Sequence, residues 1–316
     1  MYTIGIDLGG TNIAVGLCDE ELRMVDKESV KTHAERPASE IVKDMADVSR
    51  LLIERNGLSL SDIDYIGVLV PGTVNKEEGS VDLTPNLPFS GLALSEEFKK
   101  HLPIERILLE NDANAAALAE ALVGAGKGAK SLIMITIGTG VGGGIILDGK
   151  IFTGGINSHG AEVGHTVIVA NGRRCGCGRR GCWEAYASAS ALKALTKETI
   201  SDLEKLGVKT TMADWPKISA RTAFSCAREG DAEAQKLVSI YIYYLSVGIT
   251  NLINIFQPEI VLIGGGVSGE GDNLILPLTE IINREQYTRN HAVKTRIMTA
   301  KLGNDAGIIG AAALGK

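Results

Sequence analysis

Three glycine-rich turns, each directly after a short apolar run, constrain the fold of this chain more than any other sequence feature. They are Gly9-Gly10-Thr11, Gly138-Thr139-Gly140 and Gly264-Gly265-Gly266. Glycine after a strand lets backbone N–H groups approach an anion, and threonine adds a hydroxyl donor. A single such turn is more typical of a tight hairpin. Three of them, each after a predicted buried strand, favour a nucleotide-binding protein.

The glycine turns differ from the two best-known phosphate-binding motifs. No Lys-Ser or Lys-Thr pair closes any of the loops, and no G-x-G-x-x-G segment opens a helix. The first and second turns each lie between two predicted strands and resemble one another. This weak internal similarity predicts two related halves.

The remaining pattern alternates strands and helices, which predicts an α/β fold. Helical spacing is found in 39–54, with Ser39 as a candidate N-cap, and in 113–123, 183–205, 232–256 and from 306 onward. Apolar strand-like runs are 2–18 around its turn, 63–70, 104–109, 132–147 and 260–263. By pattern alone we place a domain border near residue 115, giving domains 1–115 and 116–302. The C-terminal helix, about 303–316, is expected to pack back on the first domain.

Two aspartates are candidates for chemistry. Asp7 stands directly before the first turn, where a carboxylate repels phosphate unless Mg²⁺ or its waters lie between them; the alternative is a turn-capping aspartate. Asp112 lies where a predicted strand meets an alanine-rich helix. It is a candidate base for a hydroxyl that receives a phosphoryl group, and equally a candidate N-cap. The two roles of Asp112 are compatible.

The strongest single signal is a group of one histidine and three cysteines. His165, Cys175, Cys177 and Cys182 supply the four ligands of a closed tetrahedral zinc site, which predicts structural zinc. A buried cluster of reduced thiols is the alternative. Glu162 and Glu184 flank the group and are candidates for accepting hydrogen bonds from sugar hydroxyls, although each alone would be typical of a solvated surface charge.

Charge and composition narrow the choice of partner. The net charge is −6 and the pI is near 5.5, so nucleic acid and anionic membranes repel the chain, and a small molecule is the expected partner. The N-terminus lacks the basic segment of a secretory signal, and glycines interrupt the apolar stretch 132–147. We therefore expect a cytoplasmic protein that does not enter a membrane.

Taken together, these motifs closely resemble the ROK family, whose name stands for repressor, open reading frame, kinase. The resemblance spans nearly the whole chain and rests on Asp7-Leu8-Gly9-Gly10-Thr11-Asn12, Asn111-Asp112, the run 137–144, and the block from Glu162 to Glu184. It implies an actin-like, hexokinase-type ATPase fold of two ribonuclease-H-like domains with an interdomain cleft. It also implies phosphorylation of a hexose by ATP with Mg²⁺.

The resemblance also implies a role for each residue. Asp112 would be the base, and His165 would serve twice, with one ring nitrogen on zinc and the other towards the sugar. The implied sugar-binding residues are Asn111, Asp112, Glu162, His165 and Glu184. The implied ATP-binding residues are Asp7, Gly9, Gly10, Thr11, Asn12, Gly138, Thr139, Gly140, Gly264, Gly265 and Gly266.

The choice of sugar depends on two further positions. Gly72 and Asn86 resemble the sugar-contacting positions of glucokinases in the family, which favours glucose, although both also fit ordinary loop geometry. A departure from the family pattern lies at Ser158-His159-Gly160-Ala161. His159 could face solvent or narrow the pocket, so N-acetylmannosamine or another hexose stays open.

A different class of function is a sugar-responsive regulator. Family repressors have a winged-helix segment before the Asp-x-Gly-Gly-Thr motif, whereas the motif here begins at Asp7. A sugar-binding protein without activity would be expected to lack the base, yet Asp112 is present. We therefore expect a kinase, and the resemblance implies a homodimer or tetramer.

Overall fold

The computed structural model describes residues 1–84, 86–155 and 159–316. Ser158, which belongs to the segment Ser158-His159-Gly160-Ala161 discussed above, and Pro85, which precedes Asn86, lie outside the described residues. The strands are β1 Tyr2–Leu8, β2 Asn12–Cys18, β3 Met24–Lys31, β4 Ile63–Val70, β5 Thr73–Asn75, β6 Ser80–Leu83, β7 Ile107–Asn111, β8 Leu132–Ile137, β9 Val141–Leu147, β10 Lys150–Phe152, β11 Ile260–Gly264 and β12 Arg296–Thr299. The helices are α1 Ala38–Arg55, α2 Leu94–Lys99, α3 Asp112–Leu122, α4 Glu184–Ala187, α5 Ala189–Lys205, α6 Ala220–Arg228, α7 Ala232–Phe256, α8 Asp272–Glu285 and α9 Ala306–Ala312.

The chain divides into two compact units. The first consists of residues 1–130, 144–161 and 301–316, and the second of 131–143 and 162–300. The predicted border near residue 115 differs from this division, because it would cut helix α3, which belongs wholly to the first unit. The C-terminal residues 303–316 also belong to the first unit.

The first unit is built on a five-stranded sheet in the order β3-β2-β1-β4-β7. Strands β1, β4 and β7 run parallel, with Asp7 opposite Leu69 and Val70 opposite Asn111. Strands β2 and β3 continue the sheet antiparallel, and α1 covers one face with its buried apolar side. Because parallel strands end at the same edge, Asp7 and Asn111 reach one edge of the sheet.

Helix α9 packs on the other face of this sheet so closely that its backbone lies against the backbone of the strands. A Cβ atom built on Gly5 would lie 1.9 Å from the carbonyl oxygen of Ile308, and one built on Gly67 would lie 1.9 Å from that of Ala311. The helix also packs on α3, where a Cβ on Gly310 would lie 2.2 Å from the carbonyl oxygen of Ala115. Glycines in β1, β4 and α9 thus allow the helix to approach the sheet and α3.

Replacing Gly67 by Ala is expected to destabilise the first unit by about 1–3 kcal/mol or more, because backbone rather than a flexible side chain must move. The matched control is Gly269→Ala, where an added Cβ meets no atom of the described residues within 4 Å. Urea denaturation followed by circular dichroism measures both. Equal midpoints for the two variants would show that α9 does not lie where we describe it.

The second unit places two glycine turns beside each other. In the second sheet, of order β10-β9-β8-β11-β12, strands β8 and β11 are parallel, with Gly264 opposite Thr136. The turn after β8 and the turn after β11 therefore leave the same edge. A Cβ on Gly265, whose φ is +81°, would lie 2.4 Å from the carbonyl oxygen of Ile137, so only glycine allows this approach.

Helix α7 is the core helix of the second unit. Its length and composition would suffice to cross a membrane, but 56% of its most apolar window is buried inside the protein, as in core helices of soluble proteins. Trp183 is fully buried against it, with its indole N–H donating to the carbonyl oxygen of Tyr244 at 3.0 Å. Gly248 makes room for the ring, because a Cβ there would lie 2.1 Å from it.

Several predicted element boundaries are confirmed and others are wrong. The prediction for 232–256 matches α7, and the strand over 63–70 matches β4. Ser39 is not an N-cap: α1 begins at Ala38, and the carbonyl of Pro37 accepts the first helical N–H groups. The strand predicted over 104–109 is β7, shifted to Ile107–Asn111, because its pairing with β4 continues through the polar residues.

Candidate functional site

The first glycine turn is an ordered loop between β1 and β2. The N–H of Gly9 donates to the carbonyl oxygen of Asn12 at 3.0 Å, and the buried hydroxyl of Thr32 donates to the carbonyl oxygen of Gly9 at 2.6 Å. Gly10, Thr11 and Asn12 are exposed, with Lys31 Nζ 2.9 Å from Asn12 Oδ1. This loop presents hydroxyl and backbone donors to solvent, as a phosphate-binding turn requires.

Asp7 lies immediately before this loop in an unfavourable position for a carboxylate. Burial, and secondly the negative charge of Asp112, raise the pKa of Asp7 from 3.8 to about 6. Two carboxylates at one edge of a sheet repel each other unless a cation lies near them. The two carboxylates are therefore in an electrostatically unfavourable arrangement, of a kind that is common at functional sites.

This pKa predicts a gain in stability when Asp7 is replaced by Asn. A folded-state pKa near 6 above an unfolded value of 3.8 means that ionised Asp7 destabilises the fold above pH 6, and that this cost disappears as the pH falls from 6 to 3.8. Asp7→Asn should raise the free energy of unfolding at pH 8 by at most about 3 kcal/mol, and by about half as much at pH 5. Urea denaturation without Mg²⁺ or nucleotide measures this.

Asp231 provides the control of opposite sign. Burial alone would raise the pKa of Asp231, but hydrogen bonds from Thr210, Thr211 and the N–H of Ala234 lower it to about 2. Its stabilisation is present above pH 3.8 and is lost as the pH falls through 2, so Asp231→Asn should destabilise at pH 8. An Asp7→Asn protein less stable than wild type at pH 8 would contradict the interpretation of Asp7.

Asn111 and Asp112 occupy the junction between β7 and α3. The side chain of Asn111 caps the helix, accepting the N–H of Ala113 at 2.9 Å and that of Asn114 at 3.3 Å. The interpretation of Asp112 as the N-cap is therefore wrong. Asn and Asp are about equally good caps, and the pairing of β7 with β4 places Asn111 at the capping position.

Asp112 is the first residue of α3 and is exposed to solvent. Its Oδ1 accepts a hydrogen bond from the N–H of the next residue, Ala113, at 2.9 Å. Desolvation by the protein atoms packed near the carboxylate raises its pKa, although hydrogen bonds from the start of the helix oppose this shift. An accessible carboxylate with a raised pKa is suited to accept a proton.

The same junction includes a buried network that sequence reasoning missed. Glu110 is almost fully buried and forms an ion pair with Lys76, while its Oε1 accepts the N–H of Asn111 at 3.0 Å and the amide of Asn114 at 3.2 Å. Glu110 stands out in the sequence as a charge at the end of an apolar strand, but its partner is 34 residues away. The network fixes the backbone that supports Asn111 and Asp112.

Gly72 lies beside Asn111, whose side-chain amide donates to the carbonyl oxygen of Gly72 at 3.1 Å. Gly72 has φ +146°, and a Cβ there would lie 2.0 Å from the carbonyl oxygen of Leu83, so no other residue fits. The structure thus brings together two of the predicted sugar-binding positions.

Asn86 and His159 lie on loops of the first unit. Asn86 is exposed in a loop closed by the hydroxyl of Thr84, which donates to the carbonyl oxygen of Leu87 at 2.7 Å. His159 Nε2 lies 3.0 Å from Asp82 Oδ2 on strand β6. His159 is therefore exposed to solvent and also has a protein partner.

In the second unit, the histidine and the three cysteines converge on one point. Their ligand atoms lie within 4.8 Å of one another, with Cys177 Sγ 3.7 Å from Cys182 Sγ and His165 Nδ1 3.6 Å from Cys175 Sγ. The fully buried Cys182 precedes the anchoring residue Trp183. The loop is thereby fixed to the core of its unit.

Glu184 lies next to this cluster and to the second glycine turn. Its Oε1 lies 3.7 Å from His165 Nδ1 and accepts the thiol of Cys175 at 3.0 Å, and a Cβ on Gly140 would lie 2.5 Å from its Oε2. Glu162, three residues before His165, is exposed. Among the described contacts, Glu184 is therefore the one of the two predicted sugar-binding glutamates that lies against the cluster.

The turn Gly138-Thr139-Gly140 borders a cavity of about 460 Å³ within the second unit. The turn is closed by a hydrogen bond from the N–H of Gly138 to the carbonyl oxygen of Gly140 at 3.0 Å. Thr139 lines the cavity together with Arg173 and Arg174, which sequence reasoning missed. Arg173 forms an ion pair with Glu198, and its guanidinium lies over the ring of Tyr186.

Comparison with known proteins shows that the chain belongs to one family. The model of the ROK family matches residues 3–316. A glucokinase of Thermotoga maritima is 36% identical over 313 residues, which cover 98% of this chain and 96% of that protein. A xylose repressor of Caldicellulosiruptor bescii is 31% identical over 98% of this chain but only 77% of the repressor.

Among solved structures, a ROK family glucokinase from Streptomyces griseus in complex with glucose and AMPPNP superimposes with a TM-score of 0.78. It is 32% identical, and the match covers 99% of each chain. This similarity confirms the predicted mixed α/β fold of the hexokinase type.

Proposed function

Because the chain belongs to the ROK family, we propose that it is a hexose kinase that transfers the terminal phosphoryl group of ATP to glucose. The observation on which this rests is Asp112, an accessible carboxylate held at the start of α3 next to the Asn111 cap. Phosphoryl transfer to an alcohol requires such a base.

On the first unit, each residue has a role in this reaction. Asp112 accepts the proton of the sugar hydroxyl as its oxygen attacks the terminal phosphorus and the bond to ADP breaks. Asn111 and Gly72 fix the hydroxyl, and Asn86 contacts the sugar. The turn 9–12 would hold phosphate oxygens, and Asp7 would face the Mg²⁺ that enters with ATP, whose positive charge would neutralise phosphate charge.

On the second unit, Glu162 and Glu184 accept hydrogen bonds from sugar hydroxyls. His165 turns Nδ1 towards the cysteines, which leaves Nε2 for the sugar. The adjacent turns 138–140 and 264–266 hold the nucleotide. Glucose is the proposed substrate, and N-acetylmannosamine or another hexose is the alternative, since His159 departs from the family pattern.

The cysteine and histidine cluster fits structural zinc. Two thiolates on one tetrahedral zinc ion lie about 3.8 Å apart, and a thiolate and an imidazole nitrogen lie about 3.6 Å apart. The distances in the protein are 3.7 Å between Cys177 and Cys182 and 3.6 Å between Cys175 and His165. Four protein ligands leave no open position, so zinc would brace the loop that presents Glu184 and take no part in the chemical step.

A sugar-responsive regulator is the second candidate, since the xylose repressor is also similar. The glucokinase of Thermotoga maritima is more similar and matches over nearly its whole length, which supports the kinase. We further propose that the protein is cytoplasmic and assembles as a homodimer or tetramer, and that it binds neither nucleic acid nor membranes, as its net charge of −6 supports.

A coupled assay of ADP release across glucose, mannose, fructose, allose, N-acetylmannosamine and N-acetylglucosamine tests the substrate. We expect the highest kcat/KM with glucose. A preference for N-acetylmannosamine would show that glucose is not the substrate, but it would still support the proposed kinase activity. Sugar binding by calorimetry without turnover of any sugar would favour the regulator.

A further inference from the structure

The C-terminal helix α9 contacts Asp7 directly. A Cβ atom built on Gly307 would lie 2.3 Å from Asp7 Oδ2 and 2.8 Å from its Cγ. Gly307 lies within the helix, where alanine is otherwise the better residue, and its backbone does not require glycine. The contact with the carboxylate is therefore the reason that a side chain does not fit at this position.

The helix that makes this contact cannot easily move away. Its carbonyl oxygens lie against Gly5 and Gly67 of the sheet at distances that leave no room for a methyl group. Where the chain returns to the first unit, the N–H groups of Lys301 and Leu302 both donate to Oε1 of Glu120 at 2.7 Å. Glu120 is fully buried in α3, and its other oxygen accepts the N–H of Ala125, also at 2.7 Å.

Asp7 needs such a support because its surroundings disfavour an ionised carboxylate. Asp112 carries a like charge near Asp7, and burial removes hydration that would otherwise favour ionised Asp7. A carboxylate under these conditions lowers its energy by rotating away from its neighbour. Oδ2 of Asp7 instead lies against the backbone of α9.

We propose that α9 is a positioning element for Asp7, with Gly307 as the positioning residue that sets where the carboxylate faces the Mg²⁺ of the donor nucleotide. This inference rests on the proposed function for the role of Mg²⁺, but the contact between Gly307 and Asp7 does not. A residue that orients a metal-facing carboxylate typically affects metal affinity about 10- to 100-fold when it is changed.

The test uses Gly307→Ala, with Gly310→Ala as the matched control. Both place the same methyl group on the same helix, but the Cβ at 310 meets the carbonyl oxygen of Ala115 at 2.2 Å instead of a carboxylate. Binding of Mn²⁺, as a spectroscopic substitute for Mg²⁺, is measured by electron paramagnetic resonance with AMPPNP. Gly307→Ala should weaken Mn²⁺ binding about tenfold, and Gly310→Ala less than about twofold. Equal effects of the two variants would overturn the proposal.

A stability cycle separates this inference from the proposed function. The loss of stability caused by Gly307→Ala should largely disappear when Asp7 is also replaced by Ala, whereas that caused by Gly310→Ala should persist. The cycle remains informative if Gly307→Ala alone fails to fold, because the double variant with Asp7→Ala should then fold again. If Gly307→Ala causes the same loss of stability in the wild-type and the Asp7→Ala proteins, Gly307 does not contact Asp7 and the proposal is wrong. Wild-type protein that binds no Mn²⁺ with AMPPNP would instead refute the nucleotide site.

Discussion

Replacing Asp112 by Asn is expected to lower kcat by about 10²- to 10⁴-fold and to change the Kd for glucose little. An amide cannot accept the hydroxyl proton, but its oxygen can still accept the N–H of Ala113, which Asp112 Oδ1 accepts at 2.9 Å. The start of α3 should therefore stay intact, because Asn111 remains its cap. The coupled assay gives kcat, and isothermal calorimetry gives the Kd.

The matched control for Asp112→Asn is Asp64→Asn, which removes the same charge from an exposed ion pair with Arg106. This control should retain wild-type kcat, because an exposed pair of this kind contributes little even to stability. A turnover of Asp112→Asn close to that of wild type would show that Asp112 is not the base. An equal loss of glucose binding would show that it acts in binding alone.

Loss of zinc is expected to cost both stability and sugar affinity. Zinc present at about 1,000 times its Kd stabilises the folded state by about 4 kcal/mol, which corresponds to a Tm lower by roughly 10 °C without it. Replacing the buried Cys182, one of the four proposed zinc ligands, by Ser should abolish zinc binding and weaken glucose binding at least about tenfold, since Glu184 depends on the same loop. Elemental analysis, thermal denaturation and calorimetry provide the three readouts.

Cys226→Ser is the control for Cys182→Ser, because Cys226 is equally buried but lies in α6, outside the cluster. It places the same hydroxyl in an apolar environment, so it should lower Tm to some extent yet retain zinc and glucose affinity. If the two variants lose the same stability and both keep wild-type glucose affinity, the cluster is only a group of reduced thiols.

Local sequence patterns predicted the elements that depend on local physics. The spacing of apolar residues predicted both ends of α7 correctly, because a regular apolar pattern over 25 residues leaves little ambiguity. The glycine turns after β1, β8 and β11 followed from residue type alone. The cluster of His165 with three cysteines was predictable for the same reason, since its ligands fall within 18 residues.

Features that depend on contacts between distant segments were not predictable from the sequence. Nothing local links Gly307 to Asp7 or Lys76 to Glu110, because each pair meets only once the sheet has formed. The predicted border near residue 115 differs from the division into two units for a related reason: α3 packs on the C-terminal helix and lies within the first unit, and a pattern of propensities does not show this.

The most direct test of the kinase is ³¹P nuclear magnetic resonance of the protein with ATP, Mg²⁺ and glucose. We predict a phosphate monoester resonance that grows in step with ADP, at one ester for each ADP. Release of orthophosphate without ester, or ATP that stays intact while glucose binds, would contradict the account.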